Sequence, residues 1–351
     1  MMPALLMATV VAGLLAVALP AAQAPPVDRL LTDVLGFSRG DLRDLYAGKA
    51  IARILDTDRA EEVASAGAVL IDAPVATLVS WSHGVEGFKR GSGVKQIGIF
   101  HEPFDRADLG GLVLPPEDLG ALAACQVGDC ALKLTAGAIE RFRTEVRWGT
   151  GAASVDATRI MRDVLFQMLV DYRRDGLGAL GPFVDKPEPL DVQDAFYRIA
   201  AHDPLLADYA PGVFAYVTSF PRRLITSVDD IFYWSTIDFG LKPTMRLDHL
   251  SMHPIGNGRD GLGYVFASTQ IYAAHYFRTA LDLRFVFPRP DGRGFVLINT
   301  ARSDSDGLTG MFGWLVRAKV RRGTRSGLLS YLETMKTTLE HQARAAAPPR
   351  P

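Results

Sequence analysis

Histidine and hydroxyl side chains within apolar stretches are the residues of this sequence best suited to do chemistry. Within the stretch TQIYAAHYFRTALDLRFVF, a single histidine, His275, lies among aromatic and aliphatic residues. Upstream, His249 lies in a similar stretch that follows the hydroxyl groups of Tyr233 and Ser235. A buried imidazole must find a hydrogen-bond partner, and burial generally keeps an imidazole neutral. A neutral imidazole can act as a general base or bind a ligand hydroxyl or carboxylate.

Alternation along these stretches predicts which side chains point inward, because successive residues of a strand face opposite sides of a sheet. In the later stretch the odd-numbered positions are almost wholly apolar and include His275, whereas the even-numbered positions carry the charge. The same parity groups His249 with Leu247 and places Arg246 and Asp248 on the other face. The predicted ligand-binding residues are therefore His249, His275, Tyr233, Ser235, Phe277, Leu281, Leu247 and Phe285.

Three roles remain open for the inward histidines. His275 could orient a ligand, serve as the general base of a cyclase or hydrolase, or be a core histidine satisfied by a neighbour. The sequence contains no Gly-x-Ser-x-Gly elbow and no phosphate-binding or dinucleotide-binding glycine loop, so we assign no catalytic residue and no cofactor. His249 and His253 would lie about 13 Å apart on a strand, too far to share an ion, so no metal site is predicted.

The elements around these stretches follow an α+β order. Residues 27–56 are predicted to be helical, and a helix beginning after Pro74 is predicted between strands at 67–73 and 94–100. The segment 101–230 predicts helices at 116–124, 135–147, 155–175 and 191–201. Strand-forming residues then fill 231–253, 263–287 and 295–300. A long amphipathic helix ends the order, with Leu328, Leu332, Met335 and Leu339 on one face.

Two short segments frame this order: VLIDAPVATLVSW from Val69 to Trp81, and GLTGMFGWLV from Gly307 to Val316. With the surrounding element order, over 45–100 and 230–340, they resemble the START/Bet v 1-like (helix-grip, SRPBCC) superfamily. The resemblance implies a curved antiparallel sheet around the C-terminal helix, with a cavity between them for a lipid or other hydrophobic molecule. The helical segment 101–230 is larger than in that family, and the Gly-x-x-Pro turn before the last helix is absent.

The N-terminus predicts export. Its first 26 residues contain no charged side chain, and Ala22-Gln23-Ala24 fits a small-x-small cleavage site. An uncleaved anchor is the alternative, because the apolar run is just long enough to span a bilayer. The predicted organisation is a signal peptide at 1–24, the first part of a START-like domain at 27–100, a helical insertion at 101–230, the antiparallel sheet and C-terminal helix at 231–342, and a disordered tail at 343–351.

The two cysteines, Cys125 and Cys130, flank a Gly128-Asp129 turn and predict a structural disulfide in an exported protein. A net charge of -1 without a basic block argues against nucleic acid as the partner. These features predict a periplasmic or secreted protein that binds a hydrophobic small molecule, such as a lipid, and are compatible with contact to a membrane surface. The alternatives are an enzyme on the same scaffold, with His275 as general base, and an envelope interaction protein that uses the helical segment.

Overall fold

The computed structural model describes residues 27–85, 93–223, 225, 227–239, 242–255, 261–309 and 313–346. The predicted signal peptide lies outside the described residues, as do residues 347–351 of the predicted tail. Residues 343–346 belong to the last helix and not to a disordered tail.

An eight-stranded, curved antiparallel sheet lies at the centre, with the strand order β1-β2-β8-β7-β6-β5-β4-β3. The strands are β1 (Ile51–Leu55), β2 (Glu62–Ile71), β3 (Val94–Phe100), β4 (Asp229–Ile237), β5 (Thr244–Pro254), β6 (Tyr264–Ala273), β7 (Phe277–Pro288) and β8 (Phe295–Ser305). The helical prediction for 27–56 is wrong at its end, because Ile51 to Leu55 pair with β2.

The helices are two short turns, Val27–Arg29 and Leu30–Val34, then α1 (Arg39–Tyr46), α2 (Val75–His83), α3 (Pro116–Ala123), α4 (Ala136–Glu145), α5 (Ala153–Asp175), α6 (Val192–Ala201), α7 (Leu206–Tyr209), α8 (Pro211–Ser219) and α9 (Gly313–Ala346). Their beginnings follow local chemistry. The side chains of Thr135 and Asp191 accept backbone N–H bonds at the starts of α4 and α6, and Pro116 occupies the first turn of α3. The four helices predicted in 101–230 are confirmed within a few residues.

The long apolar stretch around His275 is a hairpin and not one continuous strand. Strand β6 ends at Ala273, and residues 274–276 turn the chain into β7. Tyr276 has a φ of 61°, which non-glycine residues adopt only in turns of this kind. The strand alternation that was predicted through His275 is therefore wrong at the turn.

The two faces of the sheet are covered by different layers. Helices α5, α6 and α8 of the helical segment pack on one side, which we call the helical-block face. Helices α2 and α9 cover the other side, the α9 face. Leu332, Met335 and Leu339 of α9 are buried there, as the amphipathic pattern predicted, and Leu328 is half-buried. Gly67 of β2 permits this approach, because a Cβ atom would lie 2.7 Å from Leu332 Cδ1. The α+β class, the antiparallel sheet and the long C-terminal helix are thus as predicted.

The predicted disulfide is confirmed: Cys125 and Cys130 are bonded, with their Cα atoms 4.4 Å apart. Disulfides are typical of oxidising compartments, so this bond is compatible with the predicted export. Within the ranges that the structure describes, no helix has both the length and the apolar character needed to cross a bilayer.

Candidate ligand-binding site

The α9 face carries two arginine–aspartate pairs inside the protein. In β5, Arg246 Nη2 lies 2.6 Å from Asp248 Oδ1, and in β7, Arg284 Nη2 lies 2.8 Å from Asp282 Oδ1. The members of each pair are two residues apart, so they share one face, and β5 and β7 run parallel on either side of β6. The side chains of Asp248 and Arg284 are 2% and 1% exposed, whereas their partners Arg246 and Asp282 are 17% and 34% exposed. Charged groups are rarely buried as completely as Asp248 and Arg284 unless they are paired.

Two tyrosine hydroxyls join these pairs. Tyr233, directly opposite Asp248 across β4 and β5, is 3.2 Å from the Ser268 hydroxyl, and Arg284 Nε donates to the Tyr331 hydroxyl of α9 at 3.1 Å. Burial, reinforced by the Asp248 carboxylate, raises the pKa of Tyr233, and burial raises the pKa of Tyr331 to about 12. Both hydroxyls therefore stay protonated at neutral pH and can donate hydrogen bonds.

Burial and charge act in opposite directions on Arg246. Burial disfavours its charged form, but Asp248, with smaller contributions from Tyr233 and Asp282, outweighs burial, so the pKa of Arg246 is raised. Its guanidinium therefore remains a cation inside the protein, and an interior cation of this kind attracts the oxygen atoms of a polar group.

Three adjacent buried polar atoms at the Arg246 end of this region have no hydrogen-bond partner in the described part of the chain: Ser235 Oγ, Arg246 Nε and Gln270 Oε1. They are neighbours, since Ser235 lies opposite Arg246 across β4 and β5, and Gln270 lies opposite Asp248 across β5 and β6. A buried polar atom without a partner costs about 1–3 kcal/mol. A bound group that offers both donors and acceptors would remove this cost.

The apolar residues beside the charged pairs are only partly covered. Arg246 keeps 17% of its side chain accessible. Seven side chains that pack against the apolar cluster of this face are also only half-buried: Val79, Trp81, Ile97, Ile99, Ile231, Leu328 and Tyr331. We call this region, bounded by β3 to β7, α2 and α9, the cleft.

The predicted ligand-binding residues divide between the two faces of the sheet. Tyr233 and Ser235 lie on the α9 face, at the polar end of the cleft. Phe277 is half-buried at the start of β7, and its ring centroid lies 5.2 Å from that of Phe239 and 5.8 Å from the Arg246 guanidinium. The remaining predicted residues are on the helical-block side: His249, His275, Leu247, Leu281 and Phe285.

His249 lies in a closed hydrogen-bond network between the sheet and the helical block. Its Nδ1 is 2.9 Å from the Tyr172 hydroxyl, and its Nε2 is 2.7 Å from Asp230 Oδ1. The Tyr216 hydroxyl donates to the same carboxylate at 2.7 Å. Burial alone would raise the pKa of Asp230, but His249, Tyr216 and Arg173 together outweigh burial and lower that pKa. Both ring nitrogens are occupied, so His249 has no nitrogen available for a ligand.

His275 connects the β6–β7 turn to the helical block. Its Nε2 lies 2.7 Å from Asp118 Oδ1 in α3, and its Nδ1 donates to the backbone carbonyl of Ala131 at 3.0 Å. His275 is 5% exposed and Asp118 is fully buried. Neither ring nitrogen faces the cleft. Of the three roles considered for His275, the contacts favour a core histidine that is satisfied by its neighbours.

A separate surface pocket of about 250 Å³ lies beside the helical block. Its lining includes Lys133, Asp185, Lys186, Arg278 and Asp306. These charges satisfy one another: Lys133, Lys186 and Arg278 all bond to Asp306, and Lys133 is 4.0 Å from Asp185. Because these five charged groups are already paired with one another, they are less available to a ligand than the atoms beside Arg246 that lack partners within the described ranges.

Sequence reasoning missed the charged residues of the cleft, Arg246, Asp248, Asp282 and Arg284, and the partners Gln270 and Tyr331. The signal was present as Arg-Leu-Asp at 246–248 and Asp-Leu-Arg at 282–284, two opposite charges on one face of each strand.

No protein-family model matches the chain, and a search of curated proteins likewise gave no match. Among the residues that the structure describes, no group of three or more His, Cys, Asp or Glu side chains could hold a metal ion.

Proposed function

We propose that this protein binds a lipid-like molecule in the cleft, with the polar head group at the arginine–aspartate pairs and the apolar part beside Ile97, Ile99 and Ile231. The observation that carries the proposal is the group of polar atoms on Ser235, Arg246 and Gln270 without partners among the described residues, at one end of an apolar region that is only partly buried. Apolar lining with a few convergent polar groups is typical of small-molecule sites.

The fold and the export of the protein are part of the same proposal. A START-like helix-grip domain is supported by the curved antiparallel sheet and the long C-terminal helix that packs on one face. The uncharged N-terminal run and the disulfide between Cys125 and Cys130 support an exported protein.

The buried pairs favour a ligand role over a purely structural one. Replacing a buried ion pair with apolar residues of similar volume is often neutral or stabilising, so stability alone gives little reason to keep two of them. Their charges cancel, with two arginines against two aspartates. A zwitterionic or hydroxylated head group therefore suits this end of the cleft better than a bare anion, which would leave a net charge buried.

Binding without chemical conversion is the reading that we adopt. A general base needs a free nitrogen within reach of its substrate, and both ring nitrogens of His275 and of His249 are occupied on the opposite side of the sheet.

The test compares two charge-balanced double substitutions. The cleft variant combines Arg246→Met with Asp248→Leu. The matched control combines Arg302→Met with Glu62→Leu, which removes a buried ion pair from the helical-block side of the same sheet. Each protein is incubated with vesicles of phosphatidylethanolamine and phosphatidylcholine, both zwitterionic, then repurified and analysed by native mass spectrometry with organic extraction.

We expect a one-to-one adduct on the wild type and on the control, and at least a roughly tenfold lower occupancy on the cleft variant, equivalent to about 1.4 kcal/mol. Urea unfolding of all three proteins checks that the fold is intact. Equal occupancy on a folded cleft variant, or a wild type that retains none of these lipids, would refute the proposal. An equal loss in both variants would assign the loss to general destabilisation.

A further inference from the structure

The first ten residues of α9, which we call the α9 tip (313–322), pack differently from the rest of the helix. Three consecutive large apolar side chains are exposed there: Trp314 by 65%, Leu315 by 54% and Val316 by 41%. The apolar seam that holds α9 to the sheet starts only at Leu328. A folded protein gains nothing from a cluster of this kind in water, and such patches mark interaction sites.

The α9 tip and the turn that follows it are strongly basic. Residues 313–332 contain five cationic side chains and no acidic one: Arg317, Lys319, Arg321, Arg322 and Arg325. Three of them reach neighbouring groups, since Arg317 donates to the Leu308 carbonyl, Arg321 is 3.6 Å from the exposed Asp56, and Arg325 donates to the Ala52 carbonyl. Lys319 and Arg322 are exposed and extend the positive charge into solvent.

Two glycines weaken α9 between the tip and the part of the helix that packs on the sheet. A Cβ atom at Gly323 or Gly327 would have no atom within 4 Å, so neither glycine is required by packing. Each costs about 1 kcal/mol relative to alanine in a helix interior. Between them, the Ser326 hydroxyl bonds back to the carbonyls of Arg322 and Gly323, a contact that favours bending of a helix. The tip can therefore reorient without disturbing the seam.

The α9 tip lies at the end of the sheet where the cleft is polar. It follows β8, and Gly313 packs against the Leu308 carbonyl just beyond that strand. Arg246 and Ser235 are each two residues from the same end of their strands. Phe239, which is 45% exposed, follows β4 at this end. Exposed apolar and basic side chains thus surround one end of the cleft.

We propose that the α9 tip docks on an anionic lipid bilayer. The Trp314 indole, with Leu315 and Val316, enters the interface between head groups and acyl chains, and the basic residues contact the anionic head groups. Indole and short apolar side chains favour this depth, and the absence of any acid in 313–332 matches a negatively charged surface. This surface is distinct from the cleft, and docking does not require a bound ligand.

Vesicle flotation of the full-length protein tests the docking surface. One set of vesicles is phosphatidylcholine alone, and the other is phosphatidylcholine with phosphatidylglycerol. The double substitution Lys319→Ala with Arg322→Ala is compared with Arg222→Ala with Arg223→Ala, an exposed basic pair outside the tip. Trp314→Ser is compared with Tyr197→Ser, an aromatic residue 54% exposed on α6. The first 26 residues carry no charged side chain, so their contribution is the same in both vesicle sets.

We expect the wild type and both controls to bind the phosphatidylglycerol vesicles and to bind the neutral ones far more weakly. Removal of two surface cations should weaken partitioning on the order of 30-fold at low salt, and Trp314→Ser should weaken it in both vesicle sets. No binding to either vesicle set, equal binding to both, or equal loss in the tip and control variants would overturn the proposal. The cleft variant, Arg246→Met with Asp248→Leu, should float like the wild type, so failure of the ligand proposal and failure of docking give different results.

Discussion

Removal of the His275 imidazole should destabilise the fold without emptying the cleft. In His275→Ala, the Asp118 carboxylate remains fully buried and loses the partner of its Oδ1, while its Oδ2 has no partner among the described residues. Breaking a buried charged pair from one side costs roughly 3–5 kcal/mol. The Ala131 carbonyl also loses its donor. We therefore expect the free energy of unfolding in urea to fall by about 3–5 kcal/mol.

A double-substitution cycle isolates the interaction energy between His275 and Asp118 from the other effects of each substitution. Because most of the cost comes from the stranded carboxylate, adding Asp118→Ala to His275→Ala should recover part of the loss, and the double variant should lose less stability than the sum of the two single changes. His202→Ala is the control, since His202 is exposed on the surface and bonds only to the Arg198 carbonyl, so its loss should be under about 1 kcal/mol. A His275→Ala cost below about 1 kcal/mol, or strictly additive single effects, would refute the structural role. If His275→Ala stays folded but loses the lipid adduct, His275 contributes to ligand binding and its role is not purely structural.

Three further outcomes follow from the same structure. Burial lowers the pKa of His253 from 6.5 to about 4. Between these pH values His253 is therefore protonated in the unfolded chain but neutral in the folded protein. Stability should fall as pH drops through this window, by on the order of 3 kcal/mol, and His253→Gln should flatten that part of a pH series of urea unfolding curves. Gly323→Ala with Gly327→Ala should slow amide hydrogen exchange over 313–327 by roughly 30-fold, since each glycine costs about 1 kcal/mol. Unchanged exchange would show that these glycines do not loosen the start of α9. Replacing Cys125 and Cys130 by serine should lower the unfolding free energy by at most about 2 kcal/mol, because the loop that they close is short.

Hydrophobic periodicity was enough to predict most of the elements. The four helices of 101–230 and the amphipathic face of α9 were predicted from local patterns alone, since capping groups and apolar spacing act within a few turns. The β6–β7 turn was missed because Ala274-His275-Tyr276 contains none of the residues that usually mark a turn. Distant contacts hold it instead: His275 bonds to Asp118, and the Tyr276 carbonyl accepts from Asp306 N–H.

The site was missed for a different reason. Alternation separated the two faces of β5 and β7 correctly, but the ligand-binding residues were sought mainly on the apolar face and not on the charged one. Whether a charged face is covered depends on α9, which reaches the sheet from the far end of the chain and brings Tyr331 to Arg284. No local pattern contains that contact. The burial of Arg284 and Asp248 is therefore a property of the tertiary structure and not of the strands themselves.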